Sequence, residues 1–209
     1  MTKPDTLARL RAAKVIALVR ADDPGHLVDC ARALSEGGIG ALELTMTTPG
    51  AVELCAAVTR ALPHLLVGLG TVLDEETVPR AVAAGARFIV TPCVRPEVIG
   101  ACRTEDVPVL GGAFTPTEVW ASWEAGADVV KIFPAEFFGP AYLRSLKGPF
   151  PQVELLPTGG VTPETVADFL RAGAFATAAG SSLVTPAALK ARDWNALTAR
   201  ARQFVAAAG

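Results

Sequence analysis

The stretch Glu124-Ala125-Gly126-Ala127-Asp128-Val129-Val130-Lys131-Ile132-Phe133-Pro134 joins a helix-ending glycine to a short apolar run that carries one lysine. The same frame returns in Glu36-Gly37-Gly38-Ile39-Gly40-Ala41-Leu42-Glu43-Leu44-Thr45, in Ala83-Ala84-Gly85-Ala86-Arg87-Phe88-Ile89-Val90-Thr91-Pro92, and in Arg171-Ala172-Gly173-Ala174-Phe175-Ala176-Thr177-Ala178-Ala179-Gly180. Glycine after a helix supplies the left-handed backbone turn that stops it, so the recurrence has a mechanical cause. Gly38, Gly85, Gly126 and Gly173 lie about 47, 41 and 47 residues apart, which leaves room for two strand–helix units in each interval. The four glycines therefore open strands 2, 4, 6 and 8 of a repeating chain.

Working outward, the other apolar runs are Lys14–Val19, Leu65–Gly70, Val107–Gly112 and Val153–Gly159, with helical patterns such as Pro24–Gly37, Thr48–Leu62 and Pro163–Gly173 between runs. Eight strands alternating with helices in 209 residues point to an α/β fold, a TIM (β/α)8 barrel with a short N-terminal helix, residues 1–209 forming one domain. A doubly wound sheet is the alternative, but it rarely uses eight equal units, and no GxGxxG marks the first turn.

Inward side chains of such a barrel form layers of four drawn from alternate strands. Five residues past each repeated glycine stand Glu43, Val90, Lys131 and Ala178; seven past stand Thr45, Pro92, Phe133 and Gly180. Equivalence of the four units puts Glu43 and Lys131 in one layer, with the second set above them at the C-terminal mouth, where these barrels keep their active sites.

Of the five lysines, Lys3, Lys14, Lys147 and Lys190 read as solvated, whereas Lys131 sits inside an apolar strand. Burying an ammonium is costly unless it is paired or neutralised, and the neutral amine is the species that attacks a carbonyl. Lys131 is therefore a candidate nucleophile, with a structural ion pair to Glu43 as the alternative. Glu43, again a lone charge in an apolar strand, is a candidate general acid/base.

The expected ends of strands 7 and 8, Leu156-Pro157-Thr158-Gly159-Gly160-Val161-Thr162 and Ala179-Gly180-Ser181-Ser182, fall where TIM barrels commonly bind phosphate through backbone N–H groups. Gly68-Leu69-Gly70-Thr71-Val72 ends strand 3 with donors suited to a carboxylate, Thr91-Pro92 ends strand 4, and Phe133 would wall the lysine. Arg20 closes strand 1, either to pair with an anionic substrate or as a surface charge. Glu136 reads as a loop or cap residue.

Composition narrows the classes further. A net charge of −2 offers no basic face to nucleic acid. No apolar run is long enough for a membrane span, and Arg9, Arg11 and Lys14 interrupt any signal-peptide core, so a cytoplasmic protein is expected. Cys30, Cys55, Cys93 and Cys102 form no CxxC pair, and His26 and His64 stand apart, both reading as surface residues; neither a disulfide framework nor a metal site is expected.

The segments Leu42–Thr45, Gly70–Val72, Thr91-Pro92, Val130–Ala135, Pro157–Val161 and Gly180-Ser181 resemble, in order and over nearly the whole chain, the 2-keto-3-deoxy-6-phosphogluconate (KDPG) aldolases. That family includes 2-dehydro-3-deoxy-6-phosphogalactonate and 4-hydroxy-2-oxoglutarate aldolases. The resemblance implies a class I aldolase that cleaves a phosphorylated 2-oxo sugar acid to pyruvate and glyceraldehyde 3-phosphate. It also implies a homotrimer without metal or other cofactor. By similarity Lys131 is the Schiff-base lysine and Glu43 the acid/base; Thr71 and Pro92 contact the pyruvyl part and Phe133 lines it; Thr158, Gly159, Gly160, Gly180 and Ser181 hold the phosphate. Some members carry an arginine four residues after the glutamate to bind the substrate carboxylate, where this chain has Thr47, and Arg20 is a possible substitute. Two other classes fit the phosphate loops, a sugar-phosphate isomerase or epimerase and a non-catalytic sugar-phosphate binding barrel, but both leave Lys131 without a purpose.

Overall fold

A computed structural model describes residues 1–209. In chain order the elements are α1 (Lys3–Ala13), β1 (Val15–Val19), α2 (Leu27–Glu36), β2 (Ala41–Thr45), α3 (Ala51–Ala61), β3 (Leu66–Gly70), α4 (Thr77–Ala83), β4 (Ile89–Val90), α5 (Pro96–Thr104), β5 (Val109–Ala113), α6 (Pro116–Glu124), β6 (Val129–Ile132), α7 (Gly139–Lys147), β7 (Leu155–Pro157), α8 (Val166–Arg171), β8 (Thr177–Ala179), α9 (Pro186–Ala191) and α10 (Trp194–Ala208). The strands run parallel in the order β7-β6-β5-β4-β3-β2-β1-β8. Parallel bridges Leu155–Ala174 and Thr158–Ala178 join β7 to the β8 segment and close the sheet into a barrel.

The repeated glycines work as their recurrence predicts. Gly38, Gly85, Gly126 and Gly173 have φ of +96°, +95°, +104° and +93°. At each, the glycine N–H bonds to the carbonyl three residues back and the next N–H bonds five back, as in Gly38 to Ser35 and Ile39 to Leu34. This paired capping satisfies carbonyls that a helix end leaves orphaned and turns the chain directly into the next strand.

The predicted layers are present. Ala41, Phe88, Val129 and Ala176, three residues past the glycines, pack inside the barrel with Val90 and Ala178 from the layer above. Ile16, Leu66, Leu110 and Leu156 from the odd strands fill the same interior, and Leu10 of α1 plugs its N-terminal end. A separate, larger core lies between the sheet and the surrounding helices. With the lower barrel closed by apolar packing, polar chemistry has room only at the opposite mouth.

Three of the other lysines are tied down rather than merely solvated. Lys3 pairs with Asp128 at 3.0 Å, Lys14 holds the C-terminal turn through the Ala208 carbonyl, and Lys147 donates to the Val153 carbonyl at 2.6 Å. The fourth, Lys190, lies exposed on α9.

All four cysteines are free thiols. Burial pushes the Cys30 and Cys102 thiols up to about 12 and Cys55 to about 11. Cys93, beyond β4, is exposed. The thiolate is the form that alkylates, so raised pKa and burial act together against the three helix thiols. Iodoacetamide at pH 8 is expected to add one carbamidomethyl group to the native chain and four after unfolding, as read by intact mass.

Candidate functional site

Glu43 is the central residue of β2, and Lys131 lies within β6. Both point into the barrel, 0% and 4% exposed, with Lys131 Nζ 3.4 Å from Glu43 Oε1. This is longer than the usual 2.7–2.9 Å of a charge-assisted bond, so the amine is positioned by the carboxylate without being tightly clamped. Glu43 Oε2 is buried with no partner in the chain. A buried acceptor left unpaired carries a desolvation cost of about 1–3 kcal/mol or more, which a functional site commonly tolerates. Lys131 Nζ also lies 5.7 Å from the Phe133 ring centroid, and that ring is 43% exposed at the mouth.

The pair fits because neighbouring strands give way. A Cβ added at Gly70 would overlap Glu43 Oε1 and lie 2.5 Å from its Cδ. A Cβ at Gly68, one layer lower, would lie 2.5 Å from Phe88, and one at Gly112 would strike the Pro92 and Cys93 backbone. Glycines at these inward positions let a carboxylate, an aromatic ring and a strand end occupy the barrel. The alternation Gly68-Leu69-Gly70 is the sequence signal for this clearance.

At the mouth, Thr71 adopts φ +60°, a left-handed conformation that is strained for a β-branched residue. Thr91 Oγ1 accepts from the Gly112 N–H at 2.9 Å and donates to the Cys93 carbonyl at 2.7 Å, holding the loop that carries Pro92. Thr47 is exposed and shares a 2.9 Å hydrogen bond with Thr45.

A cleft of about 900 Å³ opens beside these residues and brings together Arg20, Phe133, Thr158, Gly159, Gly160, Gly180 and Ser181. Gly159 and Gly160 both have positive φ, and Thr158 Oγ1 is buried without a partner. Ser182 Oγ donates to the Val161 carbonyl at 2.5 Å, tying the loop after β8 to the loop after β7. Arg20 thus shares a cleft with the two glycine loops; Thr47, Thr71 and Pro92 are not among its lining residues. Glu136 stands in a 3-10 turn, Ala135–Phe137, against Gly160. His26, read from the sequence as a surface residue, and Lys190, read as solvated, both line this cleft, as do Arg192 and Trp194, to which sequence reading assigned no role. No local motif marks Lys190, Arg192 or Trp194, since α9 and α10 reach the mouth only through tertiary packing.

A buried amine beside a carboxylate, under a mouth whose far side is a glycine-rich cleft, can form a covalent adduct with a carbonyl and move a proton near it. Comparisons with known proteins agree. The family described as KDPG and KHG aldolase matches residues 7–200. The chain is 35% identical to the 2-dehydro-3-deoxy-phosphogluconate aldolase of Treponema pallidum, with 98% of this chain and 97% of that one covered. It is also 35% identical to the KHG/KDPG aldolase of Escherichia coli strain K12, over 86% and 85% of the two chains. Among solved structures, the KDPG aldolase of Legionella pneumophila, with pyruvate captured as a covalent carbinolamine intermediate, superposes with a TM-score of 0.87 at 30% identity, covering 94% of this chain and 96% of that one. The 2-keto-3-deoxy-6-phosphogluconate aldolase of Zymomonas mobilis with 3-phosphoglycerate gives 0.86 at 30% identity, over 98% and 97%. With barrel, inward pair and whole-length likeness in accord, this chain belongs to the KDPG and KHG aldolase family.

Proposed function

We propose that the chain is a class I aldolase cleaving 2-keto-3-deoxy-6-phosphogluconate to pyruvate and glyceraldehyde 3-phosphate, with Lys131 as the Schiff-base nucleophile. The observation that carries this is the buried Lys131 Nζ, 3.4 Å from Glu43 at the floor of the barrel mouth. The neutral amine adds to the C2 carbonyl of the substrate, and loss of water from the carbinolamine leaves an iminium. Glu43 accepts the C4 hydroxyl proton, directly or through a water; the C3–C4 bond breaks, its electrons pass into the iminium, and the aldehyde departs. The protonated Glu43 returns a proton to C3 of the enamine, and hydrolysis frees pyruvate and the amine. The partnerless Oε2 supports this role for the carboxylate, since it has an accepting lone pair that no group of the chain uses.

Thr71 and Pro92 contact the pyruvyl end in this reading, and the strained backbone at Thr71 supports a binding function there. Phe133 shields the enamine. Thr158, Gly159, Gly160, Gly180 and Ser181 receive the phosphate through N–H groups and hydroxyls. Arg20 and Thr47 are the remaining candidates for the substrate carboxylate. The reaction needs no metal or other cofactor, and the assembly is a cytoplasmic homotrimer. Phe137 and Phe138, 70% and 58% exposed beside Phe114, supply apolar surface for contact between copies. Sedimentation is expected to find a species about three times 21.6 kDa.

Borohydride reduction in the presence of pyruvate tests the chemistry. The expected product is a reduced pyruvyl group on the peptide containing Lys131; an unmodified peptide with full aldolase activity would sink the mechanism. Parallel kinetics on the gluconate and galactonate phosphates and on 4-hydroxy-2-oxoglutarate rank the substrates.

A further inference from the structure

The two loops of the phosphate cradle carry no cation of their own, and Arg20, which lines the same cleft, is already a candidate for the substrate carboxylate. The proposed cradle is made of backbone N–H groups and hydroxyls, and Glu136, Asp22 and Asp23 line the same cleft. Asp23 already accepts from the Gly25 N–H at 2.9 Å, whereas Glu136 stands against Gly160 of the cradle itself. A phosphate dianion entering here meets carboxylates, which disfavour it unless cations offset them.

Lys190 and Arg192 line this cleft from α9 and the turn after it. Both are exposed, and neither takes part in any of the chain's ion pairs. Their segment is held in place. Thr185 Oγ1 accepts from Ala188 N at 3.2 Å, Asp193 caps α10 through Ala196 N at 2.9 Å, and Arg200 Nε donates to the Ser182 carbonyl at 2.9 Å. Arg192 ends α9 with φ +54°. The left-handed ends of α2, α4, α6 and α8 are glycine, the residue suited to that backbone, whereas Lys14 after α1, Asp106 after α5 and Arg192 are not; of these three only Arg192 lines the cleft.

We propose that Lys190 and Arg192 are specificity-determining residues that draw the phosphate-bearing end of the substrate to the rim and favour phosphorylated over unphosphorylated chains. This rests on the phosphate reading of the cleft given above. Both groups sit in water, so they act over a distance, raising the local concentration of the dianion, and salt screens them.

The test is the double variant Lys190→Ala/Arg192→Gly, glycine relieving the backbone at 192. The ratio of kcat/KM on 2-keto-3-deoxy-6-phosphogluconate to that on 2-keto-3-deoxygluconate is expected to fall about tenfold at low salt. The wild-type ratio should approach the variant's as potassium chloride rises to about 0.5 M. The charge-preserving Lys190→Arg/Arg192→Lys should restore it. An unchanged ratio, or equal losses on both substrates, overturns the proposal. Calorimetric binding of inorganic phosphate, weakened about tenfold in the variant, reads the subsite without turnover; equal binding overturns it. Failure of wild-type protein to trap pyruvate would refute the Schiff-base reading while leaving that phosphate measurement intact.

Discussion

Lys131→Ala is expected to lower kcat/KM for aldol cleavage on the order of 10⁴-fold or more and to abolish borohydride trapping of pyruvate. In the proposed mechanism this removes the nucleophile and with it the covalent route, so the loss should appear in kcat and not merely in KM. The alanine also leaves Glu43 buried without its cation, at a cost of about 3–5 kcal/mol in stability. A second variant separates the two effects. Lys131→Arg keeps a positive charge near Glu43 but forms no imine under these conditions. If Lys131 served only to balance Glu43, arginine would rescue activity as it rescues folding. The expected result is a folded, inactive, untrappable protein by circular dichroism, kinetics and mass spectrometry.

Gly70→Ala should be nearly as damaging, although it alters no reacting group. The added Cβ would overlap Glu43 Oε1, so the carboxylate must leave its place beside Lys131 Nζ or β3 must bend away. Overpacking of this kind costs about 1–3 kcal/mol, and a displaced acid/base group forfeits a factor of about 10²–10⁴ in rate. Gly68→Ala is the control. Its Cβ would press on Phe88, one layer below, so it should lower the urea midpoint while sparing kcat in the fraction that remains folded. Equal kcat losses in the two variants would show that the clearance at Gly70 has no special bearing on Glu43.

Much of the barrel was legible because its repeats are set by backbone chemistry. The four helix-ending glycines must adopt positive φ, and counting from them placed Glu43 and Lys131 in one layer, where they lie 3.4 Å apart. Period-two alternation then settled which residues face inward. Less legible were the short strands. β4 is two residues long, although hydrogen bonds from Arg87 to Val67 and from Thr91 to Leu110 extend its pairing to the flanking residues read as strand. The loops after β7 and β8 could be placed at the mouth by topology alone, but not the width of the cleft they share with α9.

What the sequence by itself determined is the alternation of eight strands with helices, the inward register of the even strands, and the pairing of a lone acid with a lone amine. All of these follow from periodicities of a few residues and from backbone constraints local to the chain. Only the tertiary structure decided that Glu43 Oε2 lacks a partner, that Gly70 clears room for that carboxylate, and that Arg20, Lys190 and Arg192 share a cleft with the glycine loops. Those facts depend on distances between segments far apart in sequence, set by barrel closure and by the packing of α9 and α10 across the mouth, and no local spacing encodes them.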